Sequence, residues 1–262
     1  MKQDLASIPP APAGMRADEW ALRLELAACY RLFDYLGWTE LIFNHITVRV
    51  PAEAGAEPEY LINPFGLHYA EVTASNLVKV SLSGKVSGPN PGEVNLAGFI
   101  IHSAIHGARP DAHCVMHTHT TEGIAVACKA EGLRFDNFYS SALYNDLGYH
   151  EFEGVTTNPD EQPRLLQSLG QNNHLILRNH GLLTVGNDLP MAFKRLWNLQ
   201  RACEIQLMSD AGSGPNVAIP TPILEKAASS RLGGDAAGRS RIDRLAFEAM
   251  LRRAGIDRAA LA

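Results

Sequence analysis

The chain has 262 residues, 46% of them hydrophobic and 19% charged, the balance of an ordinary soluble globular protein. A net charge of −5 with no basic cluster to track phosphates argues against nucleic acid as a partner. Cys29, Cys114, Cys128 and Cys203 are scattered with no CxxC pair, which suits a reducing compartment. The N-terminal "MKQDLASIPPAPAGM" lacks the apolar core of a signal peptide, and no apolar run approaches the roughly 18 residues of a membrane span. The expected location is the cytoplasm.

Pro9, Pro10 and Pro12 predict an extended N-terminal tail, set here at residues 1–17. Leu22, Leu26, Ala27, Tyr30 and Phe33 then recur at helical spacing between Asp18 and Leu36, and Gly37 supplies a stop. Phe43 to Val50 alternates and is β-branched, predicting a strand; an acidic turn and a second short strand, "YLINP", follow. "EVTASNLVKVSLSGKV" predicts a short turn or helix, then a strand ending in a Ser-Gly turn. "LAGFIIHSAIHGA" has helical spacing and ends near Gly107, and "EGIAVACKA" predicts another helix. "HLILRNHGLLTVG" is a hairpin, two apolar runs joined by Asn179-His180-Gly181. A long helix opened by Asp188 and Pro190 follows, with Ala192, Leu196, Leu199, Cys203 and Leu207 on one face. "AGSGPN" breaks it, and the last amphipathic stretch is Arg241 to Leu251. No repeat and no Gly/Ser linker divides the chain, so one α/β domain at 18–210 with a C-terminal extension at 211–262 is expected.

Chemistry concentrates in "ARPDAHCVMHTHT". Cys114-Val115-Met116 reads as a buried strand, and residues two apart on a strand point the same way, so His117 and His119 share a face. Neutral imidazole is the commonest metal ligand, and catalytic zinc takes three protein ligands plus water. His180, at the hairpin tip beside Gly181, is the candidate third ligand.

Three stretches, "ARPDAHCVMHTHT", "LRNHGLLTVG" and "INPFGLHYAEVTASNLVKV", together resemble the class II aldolase/adducin family from about Leu22 to Met208. The resemblance implies a three-layer α/β/α fold with a largely antiparallel central sheet, commonly assembled as a four-fold tetramer with sites at subunit interfaces. It also implies that His117, His119 and His180 hold a divalent ion, zinc first and manganese second. The sugar-phosphate aldolases of the family place a proton-transferring glutamate four residues before the histidine that here is His102; this chain has Gly98 there. Their T-x-G-N phosphate loop is replaced by Leu41-Ile42-Phe43-Asn44, their Thr-Gly pair by Phe65-Gly66 and their Ser-Ser by Leu96-Ala97. The chain is closer to the adducin-like bacterial branch.

The expected function is therefore a metal-dependent carbon–carbon lyase, an aldolase or decarboxylase, in which the ion as Lewis acid stabilises an enolate. Its substrate is expected to be a small unphosphorylated hydroxy or oxo acid, flat or aromatic to suit Leu41, Phe43 and Phe65. His45 and Glu93 are the candidates to replace the missing glutamate. Tyr139, with Tyr144 competing, lies near where family members present a tyrosine to the neighbouring subunit's site. His102 is expected to support the site by a hydrogen bond. His106 and His113 are expected to be structural, and His150 and His174 to lie at surfaces. The alternatives are a non-catalytic, adducin-like assembly protein, or epimerase or oxygenase chemistry at the same metal site.

Overall fold

The computed structural model describes residues 9–51, 55–232 and 236–262. Eight strands form one sheet in the order β4-β3-β2-β1-β5-β8-β7-β6. They span His45–Arg49 (β1), Glu59–Ile62 (β2), Val78–Ser81 (β3), Val86–Ser87 (β4), Cys114–Thr118 (β5), Leu147–His150 (β6), His174–Leu177 (β7) and Gly181–Gly186 (β8). Every neighbouring pair is antiparallel except β6 with β7.

Strand alternation sorts the chain into three layers. Ile46, Val48, Cys114, Met116, Ile176 and Leu182 face one way, onto helices α1 (Ala17–Leu36), α3 (Thr121–Ala127), α6 (Leu189–Asp210) and α8 (Ala236–Ala254). Val115, Leu175, Leu177, Leu183 and Val185 face the other way, onto α2 (Leu96–Ala108) and α5 (Gln162–Leu169). The fold is a three-layer α/β/α sandwich on a largely antiparallel sheet. Local signals start and stop its helices. Asn95 and Asp188 accept from the backbone N–H groups of Gly98 and Met191 at the N-termini of α2 and α6. Gly37 closes α1 in the left-handed region, at φ +69°.

Several details depart from the sequence reading. β1 starts at His45 rather than Phe43, because Leu41 sits at φ +50° and Phe43 N–H bonds back to the Glu40 carbonyl, which keeps the chain turning until Asn44. β6, α5 and the helices α4 (Phe138–Ser141) and α7 (Thr221–Leu232) have no counterpart in the sequence reading. α4 is too brief to show a period, and the four residues of β6 include Gly148, which carries no side chain to mark an alternation. Part of the proposed tail is anchored: the Trp20 indole donates to the Pro9 carbonyl at 3.0 Å, and Ala11 and Met15 pack on Trp20 and Leu24. The first eight residues and positions 52–54 of the acidic turn lie outside the described residues. Among the described residues no helix is long and apolar enough to cross a membrane.

The C-terminal segment is part of the main core. Phe247 of α8 is fully buried with its ring 5.5 Å from that of Phe193 on α6, and the Leu261 carbonyl accepts from Ala74 N–H at 2.7 Å. Phe247→Ala is expected to lower the unfolding free energy by about 3–5 kcal/mol, the usual cost of truncating a buried phenylalanine. A denaturant-midpoint measurement showing a change under about 0.5 kcal/mol, the size of a surface substitution, would exclude α8 from the core.

Candidate metal centre

β5 and the β7–β8 hairpin deliver three imidazoles to one point. His117 and His119 leave the α2 side of the sheet at the end of β5, and His180 sits in the hairpin turn beside them. One nitrogen from each of the three lies within 4.8 Å of the others. His117 Nε2 and His119 Nε2 are 2.8 Å apart. Two nitrogens each about 2.1 Å from one tetrahedral ion would be about 3.4 Å apart, which these separations bracket. Asn179, at φ +55°, takes the left-handed position of the hairpin turn. At Gly181 a Cβ would collide with the Thr118 carbonyl, so only glycine lets the hairpin close against β5.

The donors are prepared for a cation. His117 Nδ1 donates to the Leu182 carbonyl at 2.9 Å, which fixes the ring's proton there and leaves Nε2 for a ligand bond. Burial drives all three rings toward the neutral form: His117 is held well below the usual imidazole range, and His180 is pushed down to about 4. His119 is also lowered by burial, with the Glu40 carboxylate acting in the opposite sense. Three neutral nitrogens, one oriented from behind, fit a divalent ion of the zinc or manganese kind.

A fourth histidine borders this set. His45 stands opposite His117 in the β1–β5 ladder, their ring centroids 5.2 Å apart. Its ring lies against Gly98 so closely that a Cβ there would be 2.6 Å from His45 Cδ2 and 3.0 Å from Nε2. Its Nδ1 is 2.8 Å from His102 Nε2, and burial lowers it to about 3. Glu93 is exposed in the loop before α2, its carbonyl accepting from Phe65 N–H. Tyr139 is half-buried in α4, packed on the core with its ring beside Phe138. Leu41, Phe43 and Phe65 are exposed in the single chain.

Three features escaped the sequence reading. Phe152 presents its ring edge-on to His180, 6.5 Å between centroids, from a loop with no periodic signal. Asn44 is buried, yet neither its amide oxygen nor its nitrogen has a hydrogen-bond partner. Glu40 lines a cavity of about 260 Å³ beside His119, with Thr120, Glu122 and Gln200. The expected surface position of His150 and His174 is corrected: both are buried strand residues, paired with Glu161 and Asp146. Buried imidazole needs a hydrogen-bond partner, and neither partner is a sequence neighbour.

The full chain loaded with zinc is expected to retain about one ion per chain through dialysis. Replacing His117, His119 or His180 by alanine should weaken binding by more than the ten- to hundredfold typical of losing an outer-shell partner. Metal analysis finding alanine variants that bind as tightly as the parent would remove these residues as ligands.

Comparison with known proteins identifies the family of the fold. The profile of the class II aldolase and adducin N-terminal domain matches residues 24–207. A Pseudomonas aeruginosa protein, assigned by name to class 2 aldolases without an established activity, is 46% identical over 241 residues, 92% of each chain. Mouse alpha-adducin is 43% identical over 246 residues, 89% of this chain but 33% of its own length. The crystal structure of an aldolase II superfamily protein from Pseudomonas syringae superposes with a TM-score of 0.84 at 40% identity, covering 94% of this chain and 97% of that one. The structure of L-fuculose 1-phosphate aldolase from Glaciozyma antarctica gives 0.78 at 30% identity, covering 95% and 96%. With its profile match, its relatives and its fold in agreement, the chain belongs to the class II aldolase and adducin family.

Proposed function

We propose that the protein is a divalent-metal-dependent carbon–carbon lyase acting on a small unphosphorylated hydroxy or oxo acid. The observation that carries this reading is the pairing of the three-histidine donor set with a fourth neutral imidazole, His45, seated where Gly98 leaves room for it. An ion held by His117, His119 and His180 would supply Lewis acidity to the oxygens of the substrate. His45 is the group that takes and returns a proton. Its burial weakens the ring as a base, and a bound carboxylate would raise its proton affinity by supplying a counter-charge. Asn44, immediately before His45, offers a buried amide whose donor and acceptor both lack partners, and a substrate carboxylate or hydroxyl would satisfy it. Phe152 beside His180, with Leu41, Phe43 and Phe65 in place of polar anchors, favours an apolar or aromatic body over a phosphate.

A second reading, a non-catalytic assembly protein, is favoured by the likeness to alpha-adducin. The two separate cleanly on turnover. Unphosphorylated 2-hydroxy and 2-oxo acids, aromatic ones included, are expected to be cleaved at ordinary enzyme rates of about 1–1000 per second. Fuculose 1-phosphate and ribulose 5-phosphate should be poor substrates. Turnover of either sugar phosphate at those rates overturns the substrate class, and a metal-loaded protein inert on the whole panel supports the adducin-like role.

Against an active substrate, His45→Ala should lower kcat by about a hundredfold or more, the lower end of general acid–base contributions. Glu93→Gln should leave it within a few-fold. Gly98→Glu alone should be as damaging as His45→Ala, because the added Cβ and the His45 ring cannot share the space. Combining Gly98→Glu with His45→Val should recover part of the loss. A Gly98→Glu variant with full activity would show that His45 does not sit at the reacting group.

A further inference from the structure

Behind His45 runs a chain of hydrogen bonds with a defined direction. His45 Nδ1 is 2.8 Å from His102 Nε2, and His102 Nδ1 is 2.6 Å from Thr47 Oγ1. Thr47 Oγ1 is also 2.8 Å from His106 Nε2, and His106 Nδ1 is 2.8 Å from the carbonyl oxygen of Ala112. All four side chains are buried. They meet because Gly98, His102 and His106 form one stripe of α2 at four-residue spacing, while His45 and Thr47 share the face of β1 beneath it.

The far end sets the direction. A carbonyl oxygen only accepts, so His106 Nδ1 carries a proton. Burial holds His106 at about 3 and His102 well below the usual range, so each ring is neutral and carries one proton. His106 Nε2 is therefore an acceptor, and only the Thr47 hydroxyl can donate to it. That uses the single proton of Thr47, whose oxygen must then accept from His102 Nδ1–H. His102 Nε2 is left bare and accepts from His45 Nδ1–H. The opposite direction would place the lone pair of His106 Nδ1 against that of the Ala112 oxygen.

We infer that Thr47, His102 and His106 are positioning residues which, anchored on the Ala112 carbonyl, hold His45 in its Nδ1–H tautomer with an unprotonated Nε2. The value of this for turnover rests on the proton-transfer role given to His45 above; the tautomer itself does not. His45 then meets a substrate as an acceptor only. The carbonyl at the far end can take no proton onward, so whatever proton His45 gains leaves again from its Nε2 side.

The test reads the tautomers directly, without substrate. The full chain with ring-¹⁵N histidine, recorded by long-range ¹H–¹⁵N correlation with and without added zinc, should show His45, His102 and His106 each protonated at Nδ1 and bare at Nε2. Thr47→Ser keeps the hydroxyl and should preserve this pattern. Thr47→Val removes it with little change of shape. His45 and His102 should then shift, in part, to the Nε2-protonated signature, while His106 stays fixed by Ala112. A proton on His45 Nε2 in the parent, or His45 and His102 signals unmoved by Thr47→Val, overturns the inference. Should Thr47→Val fail to fold, the parent spectrum alone decides. Tautomers as expected in a protein inert on every substrate would retire the lyase reading and leave this one standing.

Discussion

The register of β1 on β5 is the constraint from which the site follows. His45 is paired with His117 across an antiparallel ladder, and Thr47 with Val115. Because strand side chains alternate, a slip of one residue would turn His45 and Thr47 onto the α1–α6 core and bring Ile46 and Val48 to the polar face. Ile46 and Val48 are buried against that core, so the hydrophobic pattern holds the register that the chemistry uses. Packing energy and site geometry are here one quantity: whatever keeps Ile46 inside keeps His45 opposite the ligand set.

How far the site could be read in advance depended on the range of the interaction. His117 and His119 are two residues apart on a strand, and His180 sits in a hairpin with its own turn signal, so local periodicity carried them. The long helices α1 and α6 were legible for the same reason. The histidine chain was not. His45 and His102 are brought together only when α2 lies across β1, and nothing near either residue encodes that crossing. Along the chain His106 is a helix-end residue, and only the folded chain places its ring between Thr47 and the Ala112 carbonyl. Asn44 illustrates a further limit: its lack of partners is visible only once every neighbour is in place.

Gly98 changes meaning between sequence and structure. Read along the chain it is a loss, a position where the family's sugar-phosphate aldolases carry a carboxylate and this protein has no side chain. In the fold it is space taken up from the adjacent sheet, since a Cβ there would collide with the His45 ring. The two arrangements exclude each other sterically. They also differ in charge: a glutamate would bring an anion beside the ligand set, whereas His45 brings none. A pocket without that anion repels any anionic ligand less.

The buried histidines divide by partner, and the division separates support from chemistry. His150 is 3.1 Å from a Glu161 carboxylate oxygen, and His174 is 3.1 Å from one of Asp146. In both, a carboxylate accepts from the ring, and each pair joins a strand to the segment packed against it. The charges that act on His45, His102 and His106 are other imidazoles and Arg49, all of which oppose protonation. Three buried imidazoles in contact or in series with no acid among them must remain neutral to remain buried. For a purely structural link this would be a poor choice, since an amide or a carboxylate pair would bind as well without a second tautomer to exclude. On the proton-transfer role proposed for His45 it is the useful choice, because a bound anion would bring the missing counter-charge.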